Sequence, residues 1–177
     1  EAIRARVGDL PILCAGMIGS NRGWVELPYV PAPCGIKGLA RAAHHMDAER
    51  VTILPGVSWS DGSTVDVMRG EEVQFLGAAM VRDVPEASLL CQPGTHCKWA
   101  RIEDGSISWF RTAMTGEMFS LLQKHSLLSS QMERQTSADA DFLRGVSDSA
   151  TGDILHFLFS ARADHVSGRG EIDNTSA

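Results

Sequence analysis

No apolar run in this chain approaches the ~18 consecutive residues that a transmembrane helix needs, so the sequence reads as one that does not span a membrane. Basic residues are in the minority, 16 Lys and Arg against 22 Asp and Glu, for a formal net charge of -6. They are also scattered, at Arg4, Arg6, Arg22, Arg41, Arg50, Arg69, Lys98 and Arg111 among others. A nucleic-acid backbone is held by clustered cations, so nucleic acid is excluded as the main partner. A small anion is not, because one or two well-placed cations suffice for it. Cysteine is sparse. Cys14, Cys34, Cys91 and Cys97 make no C-x-x-C pair, and the spacing from Cys91 to Cys97 matches no common zinc site. They are expected to be reduced thiols of a cytoplasmic protein, with Cys14, in PILCAGMIG, a small buried hydrophobe. No signal peptide is evident, although the chain opens at Glu1 without a Met. No repeat of fixed period occurs.

What is present suffices for a core: 44% of the 177 residues are apolar, enough for one domain or two half-domains. Pro11 to Ile18 reads as a buried strand ending in a loop. GSNRGWVELPYVPAPCG, dense in Gly, Pro and Asn, reads as an extended excursion across a surface. Gly38 to Met46 is expected to be a helix, VTILPG a buried strand and SWSDGSTVD a loop. A helix is expected to start near Asp66, capped by Asp66 or Thr64, because Val67, Met68, Phe75, Leu76 and Ala79 recur at three- and four-residue spacings. Beyond a boundary near Val84-Pro85, ASLLCQPG reads as a strand opening a second unit. KWARIEDGSISWF is a hairpin turning at Asp104-Gly105. MTGEMFSLLQKHSLL, Ala138 to Val146 and Asp153 to Phe159 read as helices, and VSGRGEIDNTSA as a polar, frayed or disordered tail. Strands followed by helices on both sides of the boundary mean an α/β architecture.

Four segments then carry a family resemblance: GMIGSNRGWVELPYVPAP, DVMRGEEVQFLGA, QPGTHCKWARIEDGSI and FRTAMTGEMFSLLQKHSLL. In that order and spacing they resemble the 2-dehydro-3-deoxygalactonokinase family, over about Leu10 to Arg162. Singly, only PGTHCKW and MTGE are distinctive. The resemblance implies the actin-like, hexokinase-like ATPase superfamily, in which two ribonuclease-H-like domains close over ATP and sugar. On that basis residues 1–85 are the rear part of the N-terminal, sugar-binding domain, and 86–177 begin a second, nucleotide-binding domain that is incomplete. It also implies that the first phosphate hairpin, with its metal-associated Asp, lies before Glu1 and that a Gly-rich adenosine segment follows Arg162. These 177 residues alone are therefore expected to be inactive. One internal departure is Cys97, where the family usually has Ser.

Residue roles follow from that resemblance and from what the chemistry requires. Gly94, Thr95, His96, Cys97 and Lys98 are the candidate binders of the ATP phosphates: a turn of little bulk, with amides, a hydroxyl and a cation. An ordinary strand-to-hairpin turn is the plain alternative. Asp66 is the candidate catalytic base, since DVMRGEE resembles the helix-opening stretch of the related anhydro-muramic acid kinases, where an Asp takes that role; a helix cap is its alternative. Arg69 and Arg22 are candidates for a substrate carboxylate, which a guanidinium fork holds in two hydrogen bonds. Ser20, Asn21, Trp24 and Tyr29 suit a sugar-acid pocket, and Glu71 and Glu72 are candidates for substrate hydroxyls. Thr115, Gly116 and Glu117 open a helix whose N-terminus suits an anion. The implied activity is ATP- and Mg²⁺-dependent phosphorylation of the C6 hydroxyl of 2-dehydro-3-deoxy-D-galactonate, in galactonate catabolism. A non-catalytic sugar-acid-binding relative, or another sugar kinase of the superfamily, are the alternatives. The oligomeric state stays open, a homodimer included.

Overall fold

Short β-branched runs punctuated by Gly and Pro pack as short strands, and in the computed structural model they do so over most of the chain. The structure describes residues 2–81, 84–132, 138, 140–150 and 152–168. The chain divides into two compact units, Glu1–Met114 and Thr115–Ala177.

In the first unit the elements run α1 (Ala2–Val7), β1 (Ile12–Cys14), a 3-10 turn (Met17–Gly19), β2 (Val30–Pro31), β3 (Cys34–Gly35), α2 (Ile36–Arg41), β4 (His44–Met46) and β5 (Val51–Ile53). They continue with β6 (Val57–Ser60), β7 (Val65–Met68), α3 (Glu71–Met80), β8 (Ala87–Gln92), β9 (Cys97–Glu103) and β10 (Ser106–Ala113). Three small sheets result, ordered β1-β5-β4, β2-β6-β7 and β3-β10-β9-β8. The mixed α/β class expected from the sequence is observed.

The hairpin of β9 and β10 turns at Asp104-Gly105, both residues with positive φ (49° and 69°), as a two-residue turn between right-twisted strands requires. Its inward residues Ala100, Ile102, Ile107 and Phe110 join Phe75 and Leu76 of α3 and Val57 and Met68 of β6 and β7 in one buried cluster. Side chains of this size stabilise by about 1.5–3 kcal/mol each when fully buried. A smaller cluster, Leu27, Val51 and Ile53, lies around β5.

Three local expectations are corrected. The helix read over Gly38–Met46 is α2, ending at Arg41; His44–Met46 instead pairs antiparallel with Val51–Ile53. SWSDGSTVD is not all loop. Ser58, Trp59 and Ser60 pair with Val67, Asp66 and Val65, around a turn in which Asp61 Oδ1 accepts from Ser63 N and Thr64 N at 2.9 and 2.7 Å. Asp66 accordingly lies in a strand, and the helix begins at Glu71 after Gly70. Strand wins over helix here because it buries Val57 (0% exposed) and Met68 (1%) together.

The two compact units part after Met114. The reason is pairing: Ser106 and Ile107 bond to Gly35 and Cys34, so β8–β10 share a sheet with a strand from early in the chain. In the second unit, α4 (Thr115–His125), a 3-10 turn (Ser129–Gln131), α5 (Ala140–Ser149) and α6 (Ile154–Val166) follow one another. Gln123 Nε2 donates to the Met132 carbonyl at 2.8 Å, and Asp153 caps α6 by accepting from His156 N. Most of the polar tail read from the sequence, residues 169–177, lies outside the described residues. Among the described residues no helix is long and apolar enough to cross a membrane.

Candidate functional site

The loop after β1 is shaped by backbone before side chains matter. A Cβ at Gly23 would sit 2.2 Å from the Ile18 carbonyl oxygen, so only glycine lets the loop fold back on the 3-10 turn. That fold places Ser20, Asn21, Glu26, Leu27, Pro28 and Tyr29 around a cleft of about 540 Å³, with Arg69 from the end of β7 as its cation. Two of the sequence candidates, Arg22 and Trp24, do not line this cleft; Arg22 N donates to Ser20 Oγ at 3.2 Å, and Trp24 is exposed. Ser20 Oγ donates to the Met17 carbonyl at 2.7 Å, so it stiffens the loop as well as lining the cleft.

Arg69 is held from two sides. Its Nη2 donates to the Leu27 carbonyl at 2.9 Å, and its guanidinium carbon lies 4.2 Å from the centroid of the Tyr29 ring. Its Nε and Nη1, which point to different sides of the guanidinium, are buried without a hydrogen-bond partner. Leaving a buried charged donor unpaired costs about 1–3 kcal/mol or more per group. An anion that displaced a neighbouring side chain and accepted from either group would recover part of that cost.

Three residues earlier, on β7, Asp66 reaches across to β10. Its Oδ2 accepts from Thr112 N at 2.6 Å and its Oδ1 from Thr112 Oγ1 at 2.7 Å, while Oδ1 also accepts from Val67 N at 2.8 Å. Thr112 Oγ1 in turn accepts from Lys98 Nζ at 2.7 Å, and the same ammonium donates to the Val67 carbonyl at 2.7 Å. Lys98 is thus buried (5% exposed) and ties β7 to the hairpin. Thr112 pairs with Lys98 across β10 and β9, which puts the Asp66 carboxylate at the end of the hairpin nearest Gly94–His96.

Gly94, Thr95 and His96 form an exposed loop between β8 and β9, and Cys97 behind them is buried. A Cβ at Gly94 would meet only the His96 carbonyl oxygen, at an ordinary 3.7 Å, so the backbone itself does not demand glycine there. The two glutamates serve the chain locally. Glu71 Oε2 accepts from Arg69 N at 3.1 Å, and Glu72 Oε2 from Gly70 N at 2.6 Å. Glu72 is fully buried, with Oε1 unpartnered. Burial above all pushes its carboxyl up from the ordinary range, as does the neighbouring Glu71 charge, against the lowering by backbone N–H groups and Arg69. Neither glutamate lines the cleft. Thr115, Gly116 and Glu117 open α4 of the second unit. Among the described residues no group of three or more His, Cys, Asp or Glu is gathered for a metal ion.

Sequence reasoning missed Thr112, Glu26 and the Leu27 carbonyl. Thr112 lies 46 residues from Asp66 and Leu27 lies 42 from Arg69, and no local pattern carries such pairings.

Comparison with known proteins agrees with the four segments. Residues 1–177 match the family model described as 2-keto-3-deoxy-galactonokinase. The chain is 38% identical over 159 residues to the 2-dehydro-3-deoxygalactonokinase of Escherichia coli (strain K12), covering 89% of this chain and 53% of that protein. It is 39% identical over 161 residues to a Rhizobium meliloti (strain 1021) protein provisionally named 2-dehydro-3-deoxygalactonokinase DgoK1, covering 87% and 52%. Its fold matches, with a TM-score of 0.88 and 33% identity, the crystal structure of a Sinorhizobium meliloti protein regarded as a candidate 2-dehydro-3-deoxygalactonokinase; the match covers 99% of this chain and 62% of that one. The chain therefore spans about half the length of the curated relatives it matches, and it belongs to the 2-keto-3-deoxy-galactonokinase family.

Proposed function

We propose that this chain is the sugar-acid-holding part of an ATP-dependent kinase that phosphorylates the C6 hydroxyl of 2-dehydro-3-deoxy-D-galactonate, in galactonate catabolism. Family membership supports the reaction class, and the fold proposed for the whole protein is the two-domain ribonuclease-H-like one. The observation that carries the substrate class is Arg69: a guanidinium fixed by Tyr29 and Leu27, with Nε and Nη1 unpaired, beside a polar loop. A 2-keto acid presents a carboxylate that accepts a charge-assisted hydrogen bond from such a donor. Ser20, Asn21 and Glu26 offer polar groups for the hydroxyls along the sugar chain.

In this reading Asp66 orients the C6 hydroxyl and takes its proton on Oδ2, which accepts a single hydrogen bond in the structure. The hydroxyl oxygen then bonds to the γ-phosphorus as the bond from that phosphorus to the β,γ-bridging oxygen breaks, and ADP leaves. Thr112 and Lys98 hold Asp66 at the end of the hairpin, and the Gly94–His96 loop lies beside it for the phosphates. Mg²⁺ would arrive with the nucleotide, keep most of its water ligands and neutralise phosphate charge.

The test is a substrate panel at fixed ATP, run on the protein with its complete reading frame. Phosphate should appear on C6 of 2-dehydro-3-deoxy-galactonate, with neutral sugars of the same length turned over far more slowly. Equal turnover of a neutral sugar would remove the carboxylate from the argument, and no sugar-dependent ADP release at all would make the chain a binding relative.

A further inference from the structure

The loop given above to the nucleotide phosphates is flanked by two sulfurs. Cys91 ends the exposed face of β8, and Cys97 opens β9 after five residues, Gln92 to His96. In the antiparallel register Cys91 faces Trp99. Cys97 lies two residues before Trp99, so both sulfurs fall on the same face as diagonal neighbours. Their Sγ atoms are 3.5 Å apart. The accessible member is Cys91, with Cys97 buried behind it. The other two thiols are placed differently: Cys34 donates to the Gly35 carbonyl at 3.6 Å, and Cys14 lies on β1.

We propose that Cys91 and Cys97 form a reversible dithiol site that reacts with low-molecular-weight disulfides, such as oxidised glutathione, and closes to an intramolecular disulfide under the Gly94–His96 loop. The Cys91 thiolate attacks one sulfur of the small disulfide, forming a mixed disulfide and releasing one thiolate. The Cys97 thiolate then attacks the Cys91 sulfur and expels the second. Both protein thiols lose a proton and together two electrons, and the small disulfide is reduced to two thiols. The order follows from access, since only Cys91 is exposed.

Closure needs the sulfurs to approach from 3.5 Å to about 2.05 Å. The residues between them are loop and strand end, with Gln92 and Lys98 the last paired couple of β8 and β9. A bond so exposed and so tightly looped belongs to the readily reduced class. In the resting state the Cys91 thiol is held above its usual range, by desolvation first and then by its hydrogen bond to Cys97. The small thiolate fraction slows the first attack, so closure is expected to run faster as pH rises. Because the cross-link tethers both ends of the loop that carries Gly94, Thr95 and His96, it should weaken nucleotide binding; that consequence rests on the function proposed above.

The experiment is titration of the complete protein with oxidised glutathione, read by intact mass and peptide mapping. The expected result is loss of two hydrogens and a Cys91–Cys97 cross-linked peptide, reversed by dithiothreitol. Cys97→Ser should instead stop at a single glutathione adduct on Cys91. Separate glutathione adducts on both cysteines of the parent protein, or none, would overturn the site. ATP affinity of the reduced and oxidised forms, measured by calorimetry, is the second arm. A fall of roughly tenfold or more on oxidation, recovered on reduction, is expected. An unchanged affinity with the cross-link in place leaves the dithiol site standing and removes the phosphate role of the loop.

Discussion

Replacing Arg69 with Met separates the binding role of this residue from any structural one, because the two predict different combinations of affinity and stability change. On the stability side, Arg69→Met loses the hydrogen bond to the Leu27 carbonyl, worth about 1.5–3 kcal/mol for a charged donor. It also loses the stacking on Tyr29, worth about 0.5–2 kcal/mol. Against this, the substitution removes two buried, unpartnered N–H groups, each costing about 1–3 kcal/mol. The sums nearly cancel, so folding stability should change by no more than about 1–2 kcal/mol. On the binding side, a carboxylate held by Nε or Nη1 would lose a charge-assisted hydrogen bond. At about 1.5–3 kcal/mol, affinity falls roughly 10- to 10²-fold. The assay pairs calorimetry of the sugar acid with a thermal melt of the same variant, in the complete protein. The neutral carboxamide of the substrate is the control. It should bind the parent protein weakly, and the variant should no longer prefer the acid over it. Arg69→Lys, which keeps the charge and loses the fork, should fall between. Affinity retained in Arg69→Met, or lost equally for acid and amide with a large drop in melting temperature, would refute the carboxylate assignment.

Three further outcomes follow from the structure. Asp66→Asn should lower kcat by about two to four orders of magnitude with little change in sugar-acid affinity, and near-normal turnover in steady-state assays would sink the base assignment. Thr95→Val should raise the KM for ATP by the equivalent of about 1.5–3 kcal/mol and leave that for the sugar acid in place; the reverse pattern would end its phosphate role. Glu72 has a carboxyl raised chiefly by burial, so its contribution to stability is complete below the ordinary carboxylate pKa and is lost as pH rises through its folded value. Denaturant unfolding across pH should therefore show Glu72→Gln gaining on the parent protein as pH rises from about 4 towards neutrality. A constant difference between the two would mean that folding leaves the Glu72 pKa unshifted.

Local chemistry wrote several elements directly into the sequence. Asp104-Gly105 between two apolar runs makes a tight hairpin turn because those two residues accept positive φ at low cost. Ile12–Cys14, Val51–Ile53 and Ala87–Gln92 are short apolar runs between turn formers, and each is a strand. The helical period of MTGEMFSLLQKHSLL gave α4. Where local signals misled, a partner distant in sequence had the larger claim. The stretch from Val65 to Met68 carries apolar residues that fit a helical spacing, yet pairing with β6 and burial of Met68 against Val57 make it a strand.

The sequence by itself determined which residue types were at hand: an arginine after DVM, a small exposed turn at PGTH, an aspartate upstream and two cysteines around the turn. Only the tertiary structure decided what each would face. It brought Thr112 to Asp66 across 46 residues and Leu27 to Arg69 across 42, and it set two sulfurs on one sheet face within contact. Periodicity reports a residue's neighbours along one helix or strand, whereas these contacts arise when separate elements bury their apolar faces together and carry their polar side chains with them.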